Sequence, residues 1–134
     1  MSTWTKRQRY LRENQITYLE YLQTEHWKDL KQRILASKFP YRCYICGVHS
    51  GLELHHKTYK RMGKEYLRDM IWLCREHHEI THEYEQEKRG TKNGQLYRAA
   101  RSIRTQFKRK KKQELRRARI ERRKQRRKEK NNYV

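Results

Sequence analysis

With 134 residues, 34% of them hydrophobic, the chain is about one domain in size and too poor in apolar side chains to bury a large core. A formal charge of +21 points to a polyanionic partner, with an anionic membrane surface as the rival. No apolar run approaches the roughly 20 residues of a membrane span. The opening MSTWTKRQRY lacks a secretory signal's apolar stretch, and three cysteines are an odd number for a disulfide framework, so the expectation is a reduced, cytoplasmic protein that is not secreted.

Residues 1–40 read as helical. Ile16, Leu19 and Leu22 suggest one amphipathic segment; Trp27, Leu30, Ile34 and Leu35 mark a second, with Thr24 as its N-cap. Phe39-Pro40 ends this zone, because proline disfavours helix at and before itself. Residues 41–89 hold every cysteine and six of the seven histidines. Turn-rich stretches at 47–51 and around Gly63 frame a short strand over 52–56; a second strand follows at 70–73 and a helix over 75–87. Residues 90–134 open with a glycine-containing hinge at 90–94. Leu96, Ala100, Ile103 and Phe107 then keep a helical stripe, and residues 98–130 carry 18 Lys/Arg against three Glu. The pattern predicts an α+β protein: a small zinc-stapled core preceded by helices and followed by a long basic helix.

The chemistry lies in the middle zone. Cys43 and Cys46 form a CxxC followed by Gly47, a tight turn on which two thiolates can converge. Cys74 and His77 supply a second pair at the same spacing, and four such ligands fit a closed, structural zinc site. CxxC alone is common by chance; the matching CxxH, with both strands bracketed between the pairs, makes the reading specific. Four other histidines form a second group. His78 and His82, at i and i+4, share one helix face and suit a single metal. His55 and His56 are adjacent on a strand and so point to opposite sides. If His55 completes a three-histidine site, His56 is left as an unbound imidazole suited to general-base work. Three protein ligands leave positions open, the mark of a catalytic metal.

The run CYICG, LELHHKTYKRMGKEYLRDMIWLCREHHEITH, residues 43–82, resembles the zinc-containing form of the HNH (ββα-metal) endonucleases over about 40 residues. The resemblance implies a two-stranded hairpin and one helix clasping one catalytic divalent ion (Mg2+, Mn2+, Ni2+ or Zn2+), with Cys43, Cys46, Cys74 and His77 bracing it through structural Zn2+. It assigns His55 and His78 to the catalytic metal, His56 to the general base, and His82 to the extra ligand of the HxxxH version found in colicin-type nucleases. Asp69 takes the place usually held by the signature asparagine, which ties down the inter-strand loop and orients the base. Aspartate can accept those hydrogen bonds but cannot donate them. The implied activity is hydrolysis of nucleic-acid phosphodiesters to 5′-phosphate and 3′-hydroxyl ends, with double-stranded DNA the expected partner.

Phosphate contacts are expected from Arg42, Lys57, Lys60, Arg61 and Lys64 beside the site, and from Arg98, Arg101, Arg104 and Lys108 on the arm. Tyr10, Tyr18 and Tyr21, like Trp27 and Trp72, read as packing residues rather than base-stacking platforms. The competing reading is a non-catalytic zinc-containing nucleic-acid-binding module, which accounts for the charge and the cysteines but not for four further histidines at this spacing.

Overall fold

The computed structural model describes residues 3–87 and 96–133. Among the described residues, five α-helices, one 3-10 turn (Leu67–Asp69) and a two-stranded antiparallel sheet occur, the helices and strands in the order α1 (Thr3–Glu13), α2 (Tyr18–Tyr21), α3 (Glu25–Ala36), β1 (Leu52–His56), β2 (Met70–Cys74), α4 (Arg75–Glu87) and α5 (Leu96–Asn132). The α+β class and the order strand, loop, strand, helix agree with the sequence pattern. The hinge expected at 90–94 and the side chain of Leu96 lie outside the described residues.

Local chemistry sets the helix ends. Thr24 accepts a hydrogen bond from the Trp27 N–H at 3.2 Å and starts α3, as expected of an N-cap, and the Ser37 hydroxyl closes the helix by donating to the Ile34 carbonyl at 2.6 Å. Thr17 and Glu20 form a capping box around α2. That helix is a single turn; of the stripe expected from Ile16, Leu19 and Leu22, the flanking Ile16 and Leu22 pack against the core and Leu19 does not. Tyr21 is its buried residue and Tyr18, three positions earlier, packs on the same core, whereas Leu19 is 73% exposed. Leu35 is likewise 55% exposed, because one residue past Ile34 turns the helix by about 100° away from the face of Trp27, Leu30 and Ile34.

β1 and β2 pair with His55 opposite Ile71 and Leu54 opposite Trp72. The pleat therefore divides the hairpin into two faces. Leu54, Met70 and Trp72 pack with Trp27, Leu30 and Ile34 of α3 and Tyr21 of α2. Ile71 and Leu73 pack with Cys43, Ile45, Ala100 and Ile103, with Phe107 against them. Trp27, Trp72 and Tyr21 are thus core residues, and Tyr10 and Tyr18 pack at the edge of the same cluster. Beyond Phe107, residues 108–133 are exposed throughout. Among the described residues no helix is long and apolar enough to cross a membrane.

The loop from 57 to 69 is tied down by Asp69. Its carboxylate accepts from the Arg61 guanidinium through both oxygens and from the Tyr66 N–H at 2.9 Å, while its carbonyl accepts from the Lys57 N–H at 2.7 Å. Burial would raise its pKa, but these donors outweigh it and hold the carboxyl below its ordinary range. Gly63 takes the left-handed conformation in this loop, at φ +86°, and a Cβ there would lie 2.5 Å from the Tyr10 ring of α1. Gly63→Ala is therefore expected to cost about 2–4 kcal/mol in chemical denaturation, combining left-handed strain with a clash against a packed ring. A cost below about 0.5 kcal/mol would show that α1 does not seat against this loop.

Candidate metal centres

Among the described residues, two groups of donors converge on the hairpin and α4. In the first, Cys43, Cys46, Cys74 and His77 bring their ligand atoms within 4.8 Å of one another and can hold a metal ion. The Cys43–Cys46 turn is closed by Gly47 at φ +80°, whose N–H reaches the Cys43 carbonyl at 2.9 Å. The Tyr44 N–H donates to the Trp72 carbonyl at 2.8 Å and fastens the turn to β2. Cys74 ends that strand, and the first turn of α4 folds His77 back over it, placing Nδ1 3.2 Å from Cys74 Sγ and 3.8 Å from Cys43 Sγ. Cys46 Sγ and Cys74 Sγ are 3.9 Å apart. Burial pushes the Cys43 thiol up, but backbone hydrogen bonds from Cys46, Cys74 and Ile45 outweigh it and leave Cys43 more acidic than an ordinary cysteine. Burial and the neighbouring Cys43 push Cys74 up to about 11. Crowded sulfurs of this kind are all deprotonated together only when a cation sits among them.

In the second group, His55, His78 and His82 also place their donors within 4.8 Å of one another. His78 Nε2 and His82 Nε2 face each other at 3.0 Å, one helical turn apart on α4. His55 comes from β1, its ring centroid 5.1 Å from that of His78 and 5.0 Å from that of His82. Burial drives the His55 pKa down to about 4 against the opposing pull of Glu85. His55 is therefore neutral at physiological pH, the form in which an imidazole binds metal. Three imidazoles whose donor atoms converge this closely, the strand histidine buried and neutral, fit a site for a cation.

His56 stands apart from both groups. It is 1% exposed and faces α2 and α3, stacked on Trp27 at 5.2 Å and against Tyr59 at 4.7 Å. Its Nε2 meets Glu65 Oε1 at 3.1 Å and its Nδ1 lies 3.5 Å from the Tyr18 hydroxyl. Asp69 makes no hydrogen bond to it among the described residues; the carboxylate that orients His56 is Glu65. Glu65 also accepts from the Tyr21 hydroxyl, from the Gly63 N–H at 3.2 Å and from His26 Nε2 at 2.6 Å.

Three carboxylates of the site escaped sequence reasoning. Glu53 lies two residues before His55 on the same strand face and meets His78 Nδ1 at 2.5 Å. Glu85 follows His82 by three on α4. Both were detectable from strand and helix periodicity. Glu65 was not, since its partners Tyr21 and His26 lie 44 and 39 residues away. Of the expected phosphate contacts, Arg42, Lys60, Lys64, Arg98, Arg101 and Lys108 are exposed and Lys57 is half-buried. Arg61 is engaged by Asp69, and Arg104 lies over the Tyr44 ring at 4.4 Å. No family model matches this chain, and neither a curated protein nor a solved structure does.

Burial would raise the Glu65 pKa, yet hydrogen bonds from His56, Tyr21 and His26 bring it down to about 2. A carboxyl depressed on folding lends stability above its unfolded pKa, and that stability is lost as pH falls from about 4.5 to about 2. The lowering is worth on the order of 3 kcal/mol. In urea unfolding, wild type should therefore be about 2–3 kcal/mol more stable than Glu65→Gln at pH 7. The difference should shrink steadily below pH 4.5; one that does not change down to pH 2.5 would show that Glu65 is not ionised in the folded protein.

Proposed function

We propose that the chain is a metal-dependent endonuclease of the HNH type that hydrolyses phosphodiester bonds in nucleic acid, DNA foremost. One observation carries this reading: His55, His78 and His82 converge while the adjacent His56 is directed elsewhere and oriented by a buried carboxylate. Four-ligand stapling by zinc accounts for the first group. Tetrahedral zinc implies sulfur–sulfur separations of about 3.8 Å and sulfur–nitrogen separations of about 3.6 Å, close to those between Cys43, Cys46, Cys74 and His77. The three histidines would hold one divalent ion, which supplies Lewis-acid stabilisation of charge on the phosphate and the leaving oxygen.

The chain's own contribution is a base and an electrostatic cradle. With its Nε2–H donated to Glu65, His56 carries its basic lone pair on Nδ1, and the negative carboxylate stabilises the imidazolium formed when that nitrogen takes a proton from water. The Tyr18 hydroxyl covers Nδ1, so the proposal requires Tyr18 to yield its place to water when substrate is engaged. The exposed cations Lys60 and Lys64, together with Arg98, Arg101 and Lys108, supply sequence-independent attraction for phosphates.

A second reading, a zinc-containing nucleic-acid-binding module without activity, is favoured by the complete burial of the His56 side chain. Supercoiled plasmid at low salt, with EDTA or with added magnesium, manganese, nickel or zinc, separates the two. Wild type is expected to nick or linearise the plasmid only with metal, and His56→Ala to lose at least about 100-fold in rate. His56→Gln, which keeps a hydrogen bond to Glu65, controls for folding. Retarded but intact plasmid in every metal would select the binding module, and full activity in both variants would remove His56 from the base role. Cys43→Ser is expected to abolish the cooperative thermal transition through loss of the structural ion; an unchanged melting curve would remove the stapling role from this group.

A further inference from the structure

The geometry points to Glu85 as a positioning carboxylate of the three-histidine centre, holding His55 by Nε2 and His82 by Nδ1 so that His55 Nδ1 and His82 Nε2 are the atoms presented to an ion. The inference rests on the reading that these three histidines bind a metal.

Glu85 lies seven residues after His78 and three after His82, so α4 carries all three on one face. It is 8% exposed, deep for a carboxylate, and a buried charge is tolerated only where something compensates it. The groups facing it are two imidazoles: Oε1 is 3.3 Å from His55 Nε2, and Oε2 is 3.4 Å from His82 Nδ1. The first approach lacks the alignment of a hydrogen bond, and both of its atoms count as buried without a hydrogen-bond partner. Glu85 therefore sits against two ligand side chains in a contact that a small rotation of the His55 ring would turn into a hydrogen bond.

The other nitrogens fix the assignment. His82 Nε2 already faces His78 Nε2, which leaves His82 Nδ1 for Glu85. His78 Nδ1 is held by Glu53. Each imidazole of the group thus has a carboxylate beside one nitrogen. A neutral imidazole that donates from one ring nitrogen has its lone pair on the other, and a carboxylate acceptor both fixes that tautomer and raises ligand basicity. Glu85 is not among the mutually converging donor atoms, which separates it from a fourth ligand. One side chain then sets the orientation of a strand ligand and a helix ligand together, so the centre depends on the seating of α4 against β1.

The test is calorimetric titration of Ni2+ into the full chain already loaded with one equivalent of Zn2+. Wild type should take up one Ni2+, His78→Ala none, and Glu85→Gln should bind about 10- to 100-fold more weakly with its thermal unfolding retained. Affinity of Glu85→Gln within twofold of wild type would overturn the role of Glu85 while leaving the metal site standing. Failure of wild type to bind a second ion would overturn both. Because a substitution that merely loosens α4 could also weaken binding, imidazole 15N spectra of the protein with two Zn2+ equivalents give a separate readout. Wild type should show His55 bound through Nδ1 and protonated at Nε2. Coordination through Nε2 would sink the assignment.

Discussion

A pleated strand sends successive side chains to opposite faces, and β1 places two histidines in succession. That constraint divides the molecule's chemistry. Glu53 and His55 turn toward α4, where His78 and His82 wait at helical spacing, and the opposite face carries His56 into the aromatic packing of Tyr21, Trp27 and Tyr59. The partner strand obeys the same alternation: Ile71 and Leu73 join the cluster beneath the cysteines, while Met70 and Trp72 join the one beneath the N-terminal helices. A slip of one residue in register would exchange both sets at once. Little besides packing on both faces prevents such a slip in a two-stranded ladder. The Tyr44–Trp72 hydrogen bond and the Cys74–His77 corner add attachments to β2 that do not depend on the ladder.

Small size explains how much of the interior is polar. Glu65, Asp69 and Glu85 are each less than a tenth exposed, and so are three histidines. Each burial is compensated differently. Glu65 gathers four donors, Asp69 takes a two-pronged guanidinium and a backbone N–H, and Glu85 faces two imidazoles. The first two are closed networks that stiffen the loop from 57 to 69 around the hairpin. The third is unfinished, and its incompleteness is what associates Glu85 with the proposed ion-binding group.

The motif-bearing part of the fold was legible because its signals are local. CxxC with glycine, CxxH and HxxxH each lie within one turn of structure, and Thr24 announces α3 directly. The histidine pair also yields the divergence of His55 and His56 from strand period alone. What could not be read depends on the docking of α1–α3. The position of Tyr18 over His56 and of Tyr21 against Glu65 follows from tertiary packing across about 40 residues, and no local pattern encodes it. Leu19 and Leu35 show the limit of apolar periodicity. Each is hydrophobic and helical, yet the neighbouring aromatic or branched residue has already claimed the buried direction. Asp69 shows a different limit: its loop-tying role suits an acceptor, while its choice of Arg61 as partner is set by the loop's own path.

The long helix α5 makes sense only as two parts. Through Ala100, Ile103 and Phe107 its first turns rest on the cysteine cluster, with Phe107 edge-on to His77 at 5.5 Å. From 108 to 133 nothing covers it, and that stretch carries 15 Lys/Arg against three Glu. Arginine, lysine, glutamine and glutamate are good helix formers, so intrinsic propensity favours the conformation. The contrary force is like-charge repulsion at i, i+4, which a few contacts such as Lys124–Glu121 offset only in small part. A helix balanced in this way is stabilised by anything that neutralises its charge along a line, and a phosphodiester backbone does so at regular spacing. On the proposed reading, the binding surface and the stability of the arm are thus one quantity: phosphates that bind the helix also relieve the repulsion that opposes it, and the anchored end at Phe107 ties that event to the α4 junction from which His77 and His78 project.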